Sequence, residues 1–190
     1  MQGALPAFGL SLSFFSMFTF VTGGLRSGKS GYALRRASEL GPPPWLYVAP
    51  NTEGDEDLRS RLAGHRRDSV AHWKLIEAPE QLTSALEPGV IGQHGAVVLD
   101  RFTLWLSHRL SKTEKSTDRE FLREVEVLAD KLYKSTTPVV LVTTEIGLGF
   151  LPASVPDRRL INVAGQANQI LAERAQTVVL MVSGVANRLR

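Results

Sequence analysis

The chain has 190 residues, 43% of them hydrophobic and 22% charged, with a formal net charge of +3 and no cysteine. That length and apolar share suffice for one globular domain with a real core. The missing thiol excludes disulfides, thiolate metal sites and thiol catalysis and is compatible with a reducing cytoplasm, while scattered Lys and Arg give no nucleic-acid footprint.

Residues 1–16, MQGALPAFGLSLSFFS, are apolar and uncharged. They lack the basic region of a signal peptide and run straight into the first strand, so they read as a poorly packed extension ahead of one domain over 17–190. No other stretch reaches the roughly 18–20 uninterrupted apolar residues of a membrane span, so stable membrane insertion is not expected.

Near-continuous apolar runs follow at Phe18 to Thr22, Trp45 to Ala49, Ala96 to Asp100, Val139 to Thr143 and Thr177 to Val182, with a weaker one at Lys74 to Glu77. Such runs suit strands buried on both faces of a mostly parallel sheet. Helical stretches alternate with them. TDREFLREVEVLADKLY opens on a capping box, Thr117 with Glu120, and sets Phe121, Val125, Leu128 and Leu132 on one face. DRRLINVAGQANQILAER does the same with Leu160, Val163, Ala164, Ala167 and Leu171. The fold class is therefore α/β, with helices on both sides of a parallel sheet in three layers.

The first strand runs into GGLRSGKS, Gly23 to Ser30, which fits G-x-x-x-x-G-K-[ST] between a strand and a helix. The spacing has a mechanical reason. Gly23, Gly24 and Gly28 let the backbone amides of the loop, with Leu25, Arg26 and Ser27, turn inward around phosphates. Lys29 reaches the β- and γ-phosphates, Ser30 offers a hydroxyl to Mg²⁺, and the helix N-terminus adds partial positive charge. A glycine-rich turn with a chance lysine is the bland alternative, and the strand-loop-helix context disfavours it.

Asp100 ends the run AVVLD, where a second acid is expected to hold Mg²⁺ directly or through water; its alternative is an N-cap for the helix that follows. Glu145 follows VVLVT in the same way, at a strand end where ligands of open α/β sheets gather, or else as a solvated loop acid. A helix over 55–66 would carry Leu58, Leu62 and His65 at helical spacing. His65 is then either a helix-end histidine favoured by the dipole or a nucleophile for a phosphoryl or nucleotidyl group.

Taken together, VTGGLRSGKS, DEDLRSRLAGHRRDSVAHW, VVLDRFTLWLS, VVLVTTEIGLGFLP and AGQANQILAERAQTVVLMVSG make the chain resemble the adenosylcobinamide kinase / adenosylcobinamide-phosphate guanylyltransferase family from Met17 to Arg190. The resemblance implies a RecA-like P-loop fold, a cytoplasmic homotrimer, ATP and GTP with Mg²⁺, and two reactions. One moves a γ-phosphoryl to adenosylcobinamide; the other transfers GMP from GTP to adenosylcobinamide phosphate. It also implies that His65, in a pattern matched by Arg61, Leu62 and Arg66, becomes guanylylated, and that Glu77 contacts the nucleotide. Lys29, His65 and Asp100 carry over as catalytic, Gly23 to Ser30 as the phosphate loop, and Ser30 with Asp100 as the metal side. The chain departs from the family pattern at Ser69, Val70, Arg101, His108, Thr144, Ala153, Ser154 and Gln166. These departures motivate a rival reading, a divergent nucleotide-binding paralogue that is kinase-only, regulatory or inactive.

Overall fold

The computed structural model describes residues 18–50, 72–78, 80–112, 117–149 and 152–190. The apolar runs become strands β1 Phe18–Gly23, β2 Trp45–Ala49, β3 Trp73–Glu77, β4 Ala96–Leu99, β5 Val139–Val142 and β6 Thr177–Val182, and a further strand, β7, spans Val185–Arg188. They form one sheet in the order β3-β2-β4-β5-β1-β6-β7. Every described pairing is parallel except that of β6 with β7.

Among the described residues four helices of more than ten residues cover the sheet: α1 Lys29–Leu40, α2 Phe102–Lys112, α3 Asp118–Tyr133 and α4 Val155–Arg174. Two apolar clusters show how the layers stack. Ala33, Leu34, Ala37 and Leu40 of α1 pack on Val21, Tyr47, Val98, Val140 and Val142. On the opposite face, Phe102 and Leu106 of α2, Phe121, Val125, Leu128 and Leu132 of α3, and Val163, Ala167 and Leu171 of α4 pack on Phe18, Phe20, Leu46, Leu99 and Leu141. Each fully buried Leu or Phe among them contributes about 1.5–3 kcal/mol of transfer free energy. Alternation along one strand, as in Phe20 against Val21, sends successive side chains to the two faces.

The capping box that opens α3 is formed: Thr117 Oγ1 accepts from the Glu120 amide at 3.4 Å, and Glu120 Oε2 accepts from the Thr117 amide at 2.8 Å. The start of α4 is held by Ser154, whose Oγ accepts from the Asp157 amide at 3.2 Å. β1 lies between β5 and β6, so the loop that leaves its carboxyl end emerges near the middle of the sheet. The expected helix over 55–66, the extension 1–16, His65, Ser69 and Val70 lie outside the described residues.

Candidate nucleotide site at the carboxyl edge of the sheet

The loop after β1 is built from backbone geometry that few residues tolerate. Gly28 caps α1 at φ 93°, in the left-handed region where a side chain is strained. Arg26 also adopts a positive φ, 58°, at the turn of the loop. The last hairpin lies close by: a Cβ at 28 would meet the Cα of Gly184 at 3.4 Å, an ordinary contact, so it is the backbone angle that calls for glycine. The Gly184 amide donates to the Ser27 carbonyl at 3.0 Å, which ties the β6–β7 turn to the loop.

Lys29 is only 8% exposed. Its Nζ donates to the Gly24 carbonyl at 2.6 Å and to Ser27 Oγ at 3.4 Å, so the ammonium folds back under the loop that it would share with a phosphate. Burial pushes its pKa below the ordinary lysine range, and the Asp100 and Glu145 carboxylates pull in the opposite direction. Ser30 follows, half-buried in the first turn of α1.

Asp100 stands just past the end of β4 and is 5% exposed. Both its oxygens are engaged. Tyr47, wholly buried on the neighbouring strand, donates its hydroxyl to Oδ2. The Arg101 amide donates to Oδ1 at 2.7 Å, with Arg101 itself at φ 64°. These donors fix the carboxylate's orientation.

Lys29, Ser30 and Asp100 share a cleft of about 620 Å³, and Arg26, Arg35 and Arg101 add positive charge to its wall. An anion is what such a wall attracts. The cleft has the size of a small-molecule site, and it lies where ligands of open α/β sheets bind. Thr103 and Thr144 also line it.

Of the residues singled out in the sequence, the structure gathers Leu25, Arg26, Ser27, Gly28, Lys29, Ser30 and Asp100 around this one cleft. Gly23 and Gly24 form its root, through the Gly23–Met181 pairing and the Gly24 carbonyl that holds Lys29. Glu77 ends β3 at the far edge of the sheet. Four strand spacings, on the order of 20 Å, separate it from β1. Tyr47, Arg35 and the clamp from Gly184 were not anticipated. Their positions depend on strand pairing and on a hairpin too short and polar to announce itself.

A parallel sheet whose central strand ends in an amide-lined loop, with a buried lysine and a strand-end acid two strands away, defines a P-loop nucleoside-triphosphate-binding protein. Its structure is similar to the RadB recombinase, with TM-score 0.53 and 20% identity over 87% of this chain and 75% of that one. It is also similar to an ATPase of a bacterial type III secretion system, with TM-score 0.56 and 12% identity over 86% of this chain and 50% of that one. The fold is thus RecA-like.

A family model described as cobinamide kinase / cobinamide phosphate guanyltransferase matches residues 19–189, and the chain belongs to that family. It is 33% identical to the bifunctional adenosylcobalamin biosynthesis protein CobP of Pseudomonas aeruginosa, over 92% of this chain and 98% of the relative. It is 29% identical to the corresponding CobU proteins of Salmonella typhimurium and Escherichia coli, over 92% of this chain and all of each relative.

Proposed function

We propose that this chain carries both activities of its family, phosphorylating adenosylcobinamide with ATP or GTP and then transferring GMP from GTP to the resulting phosphate. The observation that carries the reading is the meeting of Lys29, the loop amides and Asp100 in one cationic cleft in a chain matched by the family over 19–189. In the kinase step the loop amides and Lys29 bind the β- and γ-phosphates and meet the charge that develops on the leaving oxygen. Asp100, held by Tyr47 and the Arg101 amide, presents a carboxyl group of fixed orientation in the same cleft.

The residues fit Mg²⁺. That ion keeps several waters and takes one or two protein oxygens besides phosphate oxygens. Ser30 and a carboxylate held as rigidly as Asp100 supply that number, and among the described residues no cluster of three or more His, Cys, Asp or Glu offers an all-protein cage. Ser30 and Asp100 would hold the ion, which when bound neutralises phosphate charge.

For the second step, His65 attacks the α-phosphorus of GTP. Its ring nitrogen forms the P–N bond, pyrophosphate leaves, and the acceptor's phosphate then displaces histidine. Glu77 contacts the nucleotide from the far end of the same sheet edge. A cytoplasmic homotrimer is part of the same reading.

The test is incubation with α-³²P-GTP and Mg²⁺ followed by denaturing electrophoresis. An acid-labile, alkali-stable label on the wild type and none on His65→Ala is expected, with phosphorylation of adenosylcobinamide retained in the variant. Equal loss of both activities in His65→Ala would refute the division of labour.

A further inference from the structure

The positive charge of the cleft is laid out by depth. Lys29 is buried at its floor, whereas Arg35, six residues further along α1, lines the same cleft and is exposed. Side chains on a helix lean toward its N-terminus, over the preceding turn. Arg35 does so: a Cβ added at Gly31, four residues before it, would meet Arg35 Nη1 at 3.7 Å. Gly31 lines the cleft too, and its bare backbone is the patch beside which the guanidinium lies.

Another course was open to this arginine. Glu39 stands four residues on, at the spacing that pairs charges along a helix surface. That carboxylate is held instead by Arg36, at 3.1 Å, and among the described residues no carboxylate pairs with Arg35. The first turn of α1 contains no acid either. The guanidinium is therefore turned toward the positive end of a helix, in a cleft that it shares with Arg26, Lys29 and Arg101. Like charges gathered in this way repel one another and the helix dipole until an anion lies among them.

A nucleoside triphosphate supplies that anion, and the order of its phosphates assigns the contact. Lys29 reaches the β- and γ-phosphates, and Lys29 is buried, so the terminal end enters deepest. The α-phosphate carries the nucleoside, which stays toward the open side, and it comes to the level of the exposed Arg35. We propose that Arg35 binds the α-phosphate of the nucleotide, as a contact outside the phosphate-loop motif. The proposal rests on the nucleotide reading above. A guanidinium suits the task because its planar fork can donate to both non-bridging oxygens of one phosphate.

The experiment titrates ATP and ADP, each with Mg²⁺, into the wild type, Arg35→Ala, Arg35→Lys and Arg36→Ala by calorimetry. ATP and ADP share the α-phosphate, so Arg35→Ala is expected to weaken both by the same factor, about tenfold for one charge-assisted contact near solvent. Arg35→Lys, which keeps the charge and loses the fork, falls between. Arg36→Ala, whose arginine pairs with Glu39, binds like the wild type. The melting temperature of Arg35→Ala stays essentially that of the wild type, since an exposed helix position accepts alanine. ATP with sulfur on the α-phosphate gives a finer readout: the wild type distinguishes its two diastereomers, and Arg35→Ala narrows the difference. Unchanged affinity in Arg35→Ala, a loss confined to ATP, or an undiminished preference between the diastereomers overturns the proposal. So does a loss of affinity that tracks a fall in melting temperature. A wild type that binds neither ATP nor ADP refutes the nucleotide reading itself, and the contact falls with it.

Discussion

Gly23→Ala tests whether the loop's root is as closed as its geometry states. Gly23 has φ 149°, and an added Cβ would stand 2.3 Å from the Met181 carbonyl oxygen and 3.0 Å from Ser27 Oγ. The first of these is backbone in the paired strand β6, opposite Gly23 in the register. Reaching an ordinary contact of about 3.5 Å requires a displacement of roughly 1 Å. The conformational strain costs about 1–3 kcal/mol, and the overpacking costs about 1–3 kcal/mol more. Near the middle of that range, about 4 kcal/mol lowers Tm by roughly 8–16 °C for a chain of this size. Because the shift opens the β1–β6 seam under the loop, ATP affinity falls with it, by at least about tenfold for each 1.4 kcal/mol of lost phosphate contact. Thermal unfolding by circular dichroism and calorimetric ATP titration read the two effects. A variant with unchanged Tm and unchanged ATP affinity would refute the claim that the seam is closed at this residue.

Two further outcomes follow from the same cleft. Tyr47→Phe removes the donor to Asp100 Oδ2 and leaves a buried carboxylate oxygen short of a partner. A loss of about 1–3 kcal/mol in urea unfolding is expected, together with a higher Mg²⁺ requirement for turnover and little change in ATP affinity without the metal. For Lys29→Met, burial has lowered the lysine's folded-state pKa, so the unfolded chain binds the proton more readily between that value and about 10.4. The wild type therefore gains stability from this residue as pH rises through that window. Below the folded pKa the penalty of the buried charge is fully present. The Met variant, free of that penalty, should melt at or above the wild type at neutral pH, with the difference shrinking as pH approaches the top of the window. Its ATP affinity should fall by roughly 10–100-fold, the worth of a charge-assisted contact of about 1.5–3 kcal/mol. A Met variant that melts well below the wild type at pH 7 counts against the burial argument.

Much of the fold was legible because buried parallel strands write themselves as apolar runs. Trp45–Ala49 and Thr177–Val182 are strands over the residues expected, and Phe121, Val125, Leu128 and Leu132 share the buried face that their spacing assigned. The phosphate loop was legible for a different reason: its glycines and lysine occupy fixed offsets because the backbone must close around an anion. The support of the site was not. Tyr47 reads as one more apolar strand residue until the pairing of β2 with β4 brings its hydroxyl to Asp100. Asn168 looks like a polar interruption on the apolar side of α4, and only the packing of that helix against β5 and β1 turns it toward Thr143 and Glu145. β7 is four exposed residues, so no burial pattern marks it in the sequence. Cross-strand register and helix rotation are tertiary quantities, and these residues depend on them.

The clamp from Gly184 to Ser27 joins residues far apart in order of synthesis. β1 is made early, yet both of its neighbours, β5 and β6, come from the last third of the chain, and the turn that braces the phosphate loop comes later still. A nascent chain on the ribosome therefore carries the whole phosphate-binding motif for most of its elongation without a sheet to hold it in shape. The loop has its brace only when the hairpin that contains Gly184 has emerged. Until then a nucleotide has no braced loop to engage, and it stabilises the finished protein rather than its precursors.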